Sequence, residues 1–255
     1  MASNDSIGKT IGVALALCVV CSVVVSTAAV MLKPAQVANK QLDFKRNVLA
    51  AAGMLDSSMK VEDQFNEQIT TKWVDMETGT FTEQPGGSRY DQRKASKDPA
   101  QSTKLSGEED LAKIGRRVNV TEVYLVEKNG EVDSIILPVK GYGLWSTLYG
   151  FLALGSDMNT VKGLGFYEHG ETPGLGGEVD NPKWKGLFEG KKAYKPNGDV
   201  GLTITKGAAP QGSDYEIDGL SGATLTSKGV DNLLKFWLGD NGYAEFLNNL
   251  KNGEA

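Results

Sequence analysis

The amino-acid sequence predicts an α+β protein: a single N-terminal transmembrane helix followed by one soluble domain with a mostly antiparallel sheet flanked by helices. Three observations carry this reading. Residues 11–32 are uncharged and lie between Lys9 and Lys33; strand-like segments cluster mid-chain around an Asn129-Gly130 pair; helical patterns lie before and after them.

The apolar stretch is long enough to cross a bilayer. A cleavable signal peptide is the competing reading, with Thr27-Ala28-Ala29 as small residues for cleavage, but the run exceeds the usual apolar region of a signal, which favours an uncleaved anchor. The chain then divides into an N-terminal tail (1–10) on the cytoplasmic side, a transmembrane helix (11–32) and a soluble domain (33–255). Positive charge is denser after the span (Lys33, Lys40, Lys45, Arg46) than before it, which taken alone keeps the domain cytoplasmic; large domains can translocate against such a bias. Ala14, Cys18, Ser22 and Ser26 put small groups on one face of the helix, suited to packing against a partner's transmembrane helices, although small residues are common in any anchor. Both cysteines, Cys18 and Cys21, lie inside the span, so the soluble part can build no disulfide, zinc site or iron-sulfur cluster from cysteine.

With 255 residues, 40% of them hydrophobic and 23% charged, the chain can bury one good core, and a net charge of -5 argues against a nucleic-acid binder. Residues 35–52 read as a helix leaving the membrane, and 60–69 as a second helix. Residues 81–105 are polar, with Pro85-Gly86-Gly87 and Asp98-Pro99 as breakers; their cations Arg89, Arg93, Lys94, Lys97 and Lys104 suit a solvated loop. Ser106-Gly107-Glu108-Glu109 is a capping-box pattern that starts a short helix to Ile114. Strands are expected at 120–127 and 131–139, joined through Asn129-Gly130, then at 148–154, 161–168 and 200–205. Two helices close the chain, one after Ser227 and one over 243–250.

The chemistry concentrates in Asp218-Gly219-Leu220-Ser221-Gly222-Ala223-Thr224-Leu225-Thr226-Ser227, which runs into a helical pattern at Val230, Leu233, Leu234, Trp237 and Leu238. Small residues before a helix start leave unpaired N–H groups that suit an anion. The simplest account is that Thr226 or Ser227 caps the helix, yet the motif is longer than a cap needs. Asp218-x-x-Ser221-Gly222-Ala223-Thr224 resembles the flavinylation motif of the FMN-binding domain family, in which the final threonine carries FMN through a phosphoester. Two further stretches, Gly141-Tyr142-Gly143-Leu144-Trp145-Ser146 and His169-Gly170-Glu171-Thr172-Pro173-Gly174-Leu175-Gly176-Gly177, suit a backbone approached closely by a flat ligand. With the anchor and the order of motifs, the whole chain resembles the family of C subunits of bacterial sodium-translocating NADH:quinone oxidoreductases. The G subunits of Rnf-type electron-transfer complexes share its Glu-Thr-Pro-Gly-Leu-Gly and Ser-Gly-Ala-Thr stretches.

The resemblance implies an electron-relay subunit of a sodium-pumping NADH:ubiquinone reductase in the bacterial inner membrane, single-pass, with its soluble domain in the periplasm. It implies covalent FMN, attached to Thr224 by a flavin transferase that uses FAD. Electrons would arrive from an iron-sulfur centre and leave to another subunit's flavin. Within that frame Ser221, Gly222, Ala223 and Thr226 are expected at the phosphate, and Asp218 as the motif acid, holding the turn or serving the transferase. Tyr142, Leu144, Trp145, Leu175 and Leu225 are expected along the flavin ring, with Glu171 and Thr172 at its edge and Gly174 in the turn beside it. Lys206 and Lys228 are expected to place positive charge near the phosphate or the reduced ring. No metal ligands are expected. Hydride transfer from NADH by this chain alone is not expected, because Gly141-x-Gly143-x-x-Ser146 breaks the dinucleotide fingerprint at its third glycine. A single span without an acidic residue cannot form an ion path. The alternatives are a G-type Rnf subunit, a membrane-anchored binding domain without flavin, and a serine hydrolase using Ser221 with His169, the only histidine; the last lacks the nucleophile-elbow spacing.

Overall fold

The computed structural model describes residues 6–86 and 90–255. The first five residues of the expected tail, and Gly87 and Arg89 of the polar stretch, lie outside the described residues. The chain divides into an N-terminal unit ending at Asp43 and a compact unit from Phe44 to Ala255.

Helix α1 spans Ile7–Ala51 and is the one described helix long and apolar enough to cross a membrane. The helix expected over 35–52 is present as the second part of α1, which runs on from the apolar stretch through Pro34 without a break. A proline removes one donor, and the alanines, lysines and glutamines after it are strong enough helix formers to carry the helix across that loss.

In the compact unit, α2 (Val61–Gln68) precedes a sheet of six strands. They are β1 (Thr70–Asp75), β2 (Thr80–Thr82), β5 (Val120–Lys128), β6 (Glu131–Tyr142), β7 (Thr147–Gly155) and β8 (Val161–Glu168), in spatial order β2-β1-β5-β6-β7-β8, every pairing antiparallel. The β5–β6 turn takes positive φ at Asn129 (55°) and Gly130 (83°), as a two-residue hairpin of this twist requires. Between β2 and β5 in sequence, β3 (Ser102–Lys104) pairs with β4 (Arg116–Val118), and farther on, past the short helix α4 (Pro182–Gly186), β9 (Thr203–Ile204) pairs in parallel with β10 (Glu216–Ile217). The strand expected over 200–205 is thus reduced to two paired residues.

Strands β5 to β8 are apolar on both faces because both are covered. One face carries Val123, Leu125, Ile135, Leu137, Leu152 and Leu164 under α5 (Thr224–Leu238) and α6 (Ala244–Asn252). The other carries Tyr124, Val126, Ile136, Phe151 and Ala153 under Val48, Leu49 and Ala51 at the end of α1, with Phe65 of α2 beside them. Phe44 meets Tyr124, Phe151 and Tyr167 edge-on at centroid distances of 5.9, 5.0 and 5.4 Å. Polar anchors fix α5 and its exit to β6: Trp237 Nε1 donates to Lys140 O (2.7 Å) and Tyr243 Oη to Pro138 O (2.7 Å).

Two further expectations are corrected. Residues 106–114 form turns, not a helix. The capping box is made, with Ser106 N–H donating to Glu109 Oε2 (2.9 Å) and Glu109 N–H to Ser106 Oγ (3.4 Å), but Asp110 then takes the amides of Ile114 and Gly115 (2.7 Å each). Those bonds satisfy the backbone in a non-helical way, and positive φ at Lys113 and Gly115 ends any helical path. The polar stretch 81–105 holds structure of its own, α3 (Gln92–Ala95) and β3. Arg93 is not merely solvated: its Nη1 makes 2.9 and 3.0 Å bonds to both oxygens of Glu168, and its guanidinium lies 4.0 Å from the Tyr149 ring centre.

Leu233 of α5 is fully buried against the sheet. Leu233→Ala is expected to cost about 2–5 kcal/mol in denaturant unfolding of the detergent-solubilised protein. Leu111→Ala, at a largely exposed side chain, is expected to stay within about 0.5 kcal/mol.

Candidate cofactor site

Three segments meet at one end of the sheet: the β6–β7 loop (143–146), the loop after β8, and the start of α5. The strands bring them together, since β6 ends at Tyr142, β7 begins at Thr147 and β8 ends at Glu168.

The buried centre of this junction is Glu171. Its Oε1 accepts the backbone N–H groups of Leu144 (3.1 Å), Trp145 (2.9 Å) and Ser146 (3.2 Å), and its Oε2 accepts the Thr226 hydroxyl (2.7 Å). Glycines make the room: a Cβ on Gly143 would sit 2.6 Å from Glu171 Oε1, and one on Gly176 would sit 2.7 Å from Oε2 and 2.6 Å from Thr226 Oγ1. Burial pushes the Glu171 pKa up, but the bonds from Thr226 and the three amides outweigh it, and the net shift is downward. Around this core Ser146 Oγ accepts from Gly170 N–H (2.6 Å) and His169 Nδ1 from Glu171 N–H (3.2 Å).

Helix α5 begins at Thr224, and no side chain caps it: Ala223 stands at the cap position. Both hydroxyls expected to serve as cap or phosphate partners turn inward. Thr226 is fully buried on Glu171, while Ser227 Oγ accepts from Leu220 N–H (2.8 Å) and donates to Ala223 O (3.1 Å). Thr226 therefore has no hydroxyl to offer a bound phosphate. Glu171 is likewise corrected, since both its oxygens are spent on protein donors and it presents none to a ligand edge. The reason is the same in each case: a buried polar group must find its partner inside the protein.

Thr224, Ser221, Gly222 and Lys228 remain exposed, whereas Ala223 is buried. Thr224 lines a cleft of about 260 Å³ with Thr205, Lys206, Gly207 and Lys228. Asp218 holds the turn behind it, its Oδ1 accepting Ala209 N–H (2.7 Å) and its carbonyl accepting Trp184 Nε1 (2.8 Å). Tyr142, Leu144, Trp145, Leu175 and Leu225 are all substantially exposed for apolar side chains, Trp145 at 66% and Leu225 at 60%. Thr172 and Gly174 are exposed in the loop leading to Leu175, and the Thr172 carbonyl accepts the amides of Leu175 and Gly177.

His169 does not serve Ser221. Its Nε2 lies 2.8 Å from Asp180 Oδ2 and its Nδ1 is taken by the Glu171 amide. Among the described residues no cluster of His, Cys, Asp and Glu is arranged to hold a metal. Sequence reasoning placed Gly143, Ser146 and Gly176 in segments approached by a ligand but missed their part in enclosing Glu171, and misread the direction of Glu171. The available signal was a glutamate amid Gly170, Gly174, Gly176 and Gly177, where bare backbone amides abound and a carboxylate is easily enclosed.

Residues 143–239 match the family model described as FMN-binding domain, a range that holds every candidate residue above except Tyr142. The chain is 55% identical to the C subunit of the Na(+)-translocating NADH-quinone reductase of Pseudomonas aeruginosa, with 100% of both chains covered. The chain belongs to the family of C subunits of these reductases. It is also 51% identical to the corresponding protein of Vibrio vulnificus, over 99% of each chain. The crystal structure of Shewanella oneidensis NqrC superposes with a TM-score of 0.78 at 34% identity, covering 84% of this chain and 99% of that one. Family membership makes this one part of a multi-subunit oxidoreductase complex, and with helix α1 it is membrane-associated. The α+β fold with a mostly antiparallel sheet is that of the family.

The lowered Glu171 pKa sets a pH dependence. Its contribution to stability is complete above the unfolded glutamate pKa, about 4.3, and is lost as pH falls through the lower folded value. Wild-type and Glu171→Gln proteins should therefore differ in thermal midpoint at neutral pH, and the difference should shrink as the pH falls below about 4.3. Midpoints that keep a constant separation as the pH is taken below that point would show that the carboxylate is not held ionised.

Proposed function

We propose that the chain carries FMN as a phosphoester on Thr224 and acts as a one-cofactor electron relay in a sodium-translocating NADH:ubiquinone reductase. The observation that carries this reading is the state of the Thr224 hydroxyl: exposed, in the first turn of a helix that no side chain caps, in a cleft with two lysines. The residues fit the group. Amides at the helix start and the ammonium groups of Lys206 and Lys228 suit a phosphodiester charge, and the backbone of Ser221 and Gly222 leaves the approach open. The exposed side chains of Tyr142, Leu144, Trp145, Leu175 and Leu225 suit an aromatic ring system. Thr172 and Gly174 lie in the loop beside them.

Bound FMN supplies reversible electron transfer, accepting from an iron-sulfur centre and donating to another subunit's flavin. Attachment forms a bond from the Thr224 oxygen to the phosphorus of the FMN half of FAD and breaks the bridging P–O bond. AMP leaves and the hydroxyl proton goes to the medium. A separate flavin transferase catalyses this. NADH oxidation is left to other subunits: Gly141 and Gly143 lead from β6 into β7 rather than into a helix, so no dinucleotide-binding unit forms around them. The soluble domain faces the periplasm, as the resemblance implies and against the local charge bias.

Intact mass and in-gel fluorescence after co-expression with a flavin transferase test the attachment. Wild type should gain FMN less one water, and Thr224→Ala nothing. If neither gains mass while a control substrate is labelled, Thr224 is only a helix-start residue and the binding-domain reading replaces this one. For orientation, Lys251→Cys in a Cys18→Ser, Cys21→Ser background should react with a membrane-impermeant maleimide in cells with a permeabilised outer membrane. Labelling only after the inner membrane is broken would place the domain in the cytoplasm.

A further inference from the structure

Leu144 and Trp145 are 38% and 66% exposed, so burial cannot hold the β6–β7 loop in place. Within the loop one backbone bond closes the turn, Gly143 N–H to Ser146 O (2.8 Å). The three amides between are all held by Glu171 Oε1, and the other oxygen of that carboxylate holds Thr226, two residues beyond Thr224 on the first turn of α5. Segments far apart in the chain are thus joined through one side chain. Glu171 is itself 5% exposed, with Gly143 and Gly176 too close on its two sides to admit a Cβ. It is boxed into a single arrangement.

We propose that Glu171 is a positioning residue for the flavin: it joins the Leu144, Trp145 and Ser146 amides to the Thr226 hydroxyl, fixing the exposed apolar surface of the loop at one setting relative to Thr224. This rests on the attachment of FMN at Thr224 and goes beyond it. Thr224 alone would tether a cofactor by a flexible phosphoester; the Glu171 bridge makes tether and ring surface one rigid piece. The four hydrogen-bond partners of the carboxylate are all neutral, and among the described residues it makes no ion pair, so its negative charge stays on the bridge. A buried charge of that sign disfavours added electrons on a group held nearby.

The test uses the full chain, co-expressed with a flavin transferase, as wild type, Glu171→Ala, Glu171→Gln and Thr226→Val. Intact mass is read first, and all four are expected to carry FMN. In Glu171→Ala the loop amides lose their acceptor, which shifts the loop toward open forms by roughly 5- to 150-fold. Flavin fluorescence anisotropy should fall and iodide quenching rise. Glu171→Gln keeps an oxygen for the three amides and can donate to Thr226, so it should restore anisotropy and quenching. With the charge gone, its flavin midpoint potential should still lie above that of wild type. Thr226→Val, which spares the loop amides, should fall between. Hydrogen exchange of residues 144–146 in unmodified protein should accelerate in Glu171→Ala while β6 to β8 stay protected.

If Glu171→Ala does not fold, Glu171→Gln and Thr226→Val carry the test. Flavinylated variants with wild-type anisotropy, quenching and potential would overturn the proposal alone. An unflavinylated wild type would remove the attachment reading, and this proposal with it.

Discussion

A carboxylate met by neutral donors holds the β6–β7 loop to the start of α5. Taking a charge out of water is costly unless its lone pairs are met, and Glu171 is met by three consecutive backbone amides and one hydroxyl. Successive N–H groups pointing into one concavity make an anion site out of backbone alone. Here the anion is the protein's own side chain. The consequence reaches the helix start: because Thr226 and Ser227 are committed inward, Thr224 is the hydroxyl left facing outward on that first turn.

That junction needs a rigid support, and the sheet provides it. Strands β6 and β7 pair without interruption from Ser134 with Gly155 to Tyr142 with Thr147, so the loop between them is anchored on both sides. Helix α5 lies across the same strands with its indole and the nearby Tyr243 hydroxyl bonded to β6 carbonyls. The helix is also held from the other side, where Asp231 Oδ1 accepts the Thr203 hydroxyl (2.7 Å) and the Ile204 amide (3.0 Å). Rigid elements thus present a site whose exposed parts all sit on loops or at a helix start, the usual division between scaffold and function.

Much of the fold was legible because it is local. The Asn129-Gly130 turn, the strands on either side of it, β7, β8 and the apolar stripe of α5 all follow from spacing and turn chemistry within a few residues. The failures came where a local signal competed with something outside its window. Ser106 and Glu109 make their capping box, yet Asp110 diverts the next amides and no helix grows. Strand β1 alternates only weakly, from Thr70 to Asp75, and owes its place to pairing with β5, which is distant in the chain. Arg93 read as a loop charge until Glu168 and Tyr149 were brought to it.

The sequence by itself determined the fold class, the apolar helix, the strands from β5 to β8 and the two closing helices, and it supplied Thr224 as the residue at which chemistry is proposed. These depend on composition, periodicity and a contiguous motif. Which of the neighbouring polar side chains face outward was decided only by the tertiary structure. Glu171 and Thr226 are 55 residues apart and become partners because antiparallel pairing brings the end of β8 to the start of α5. Once both are buried, the cost of an unpaired polar group commits the Thr226 hydroxyl to the Glu171 oxygen that the loop amides leave free.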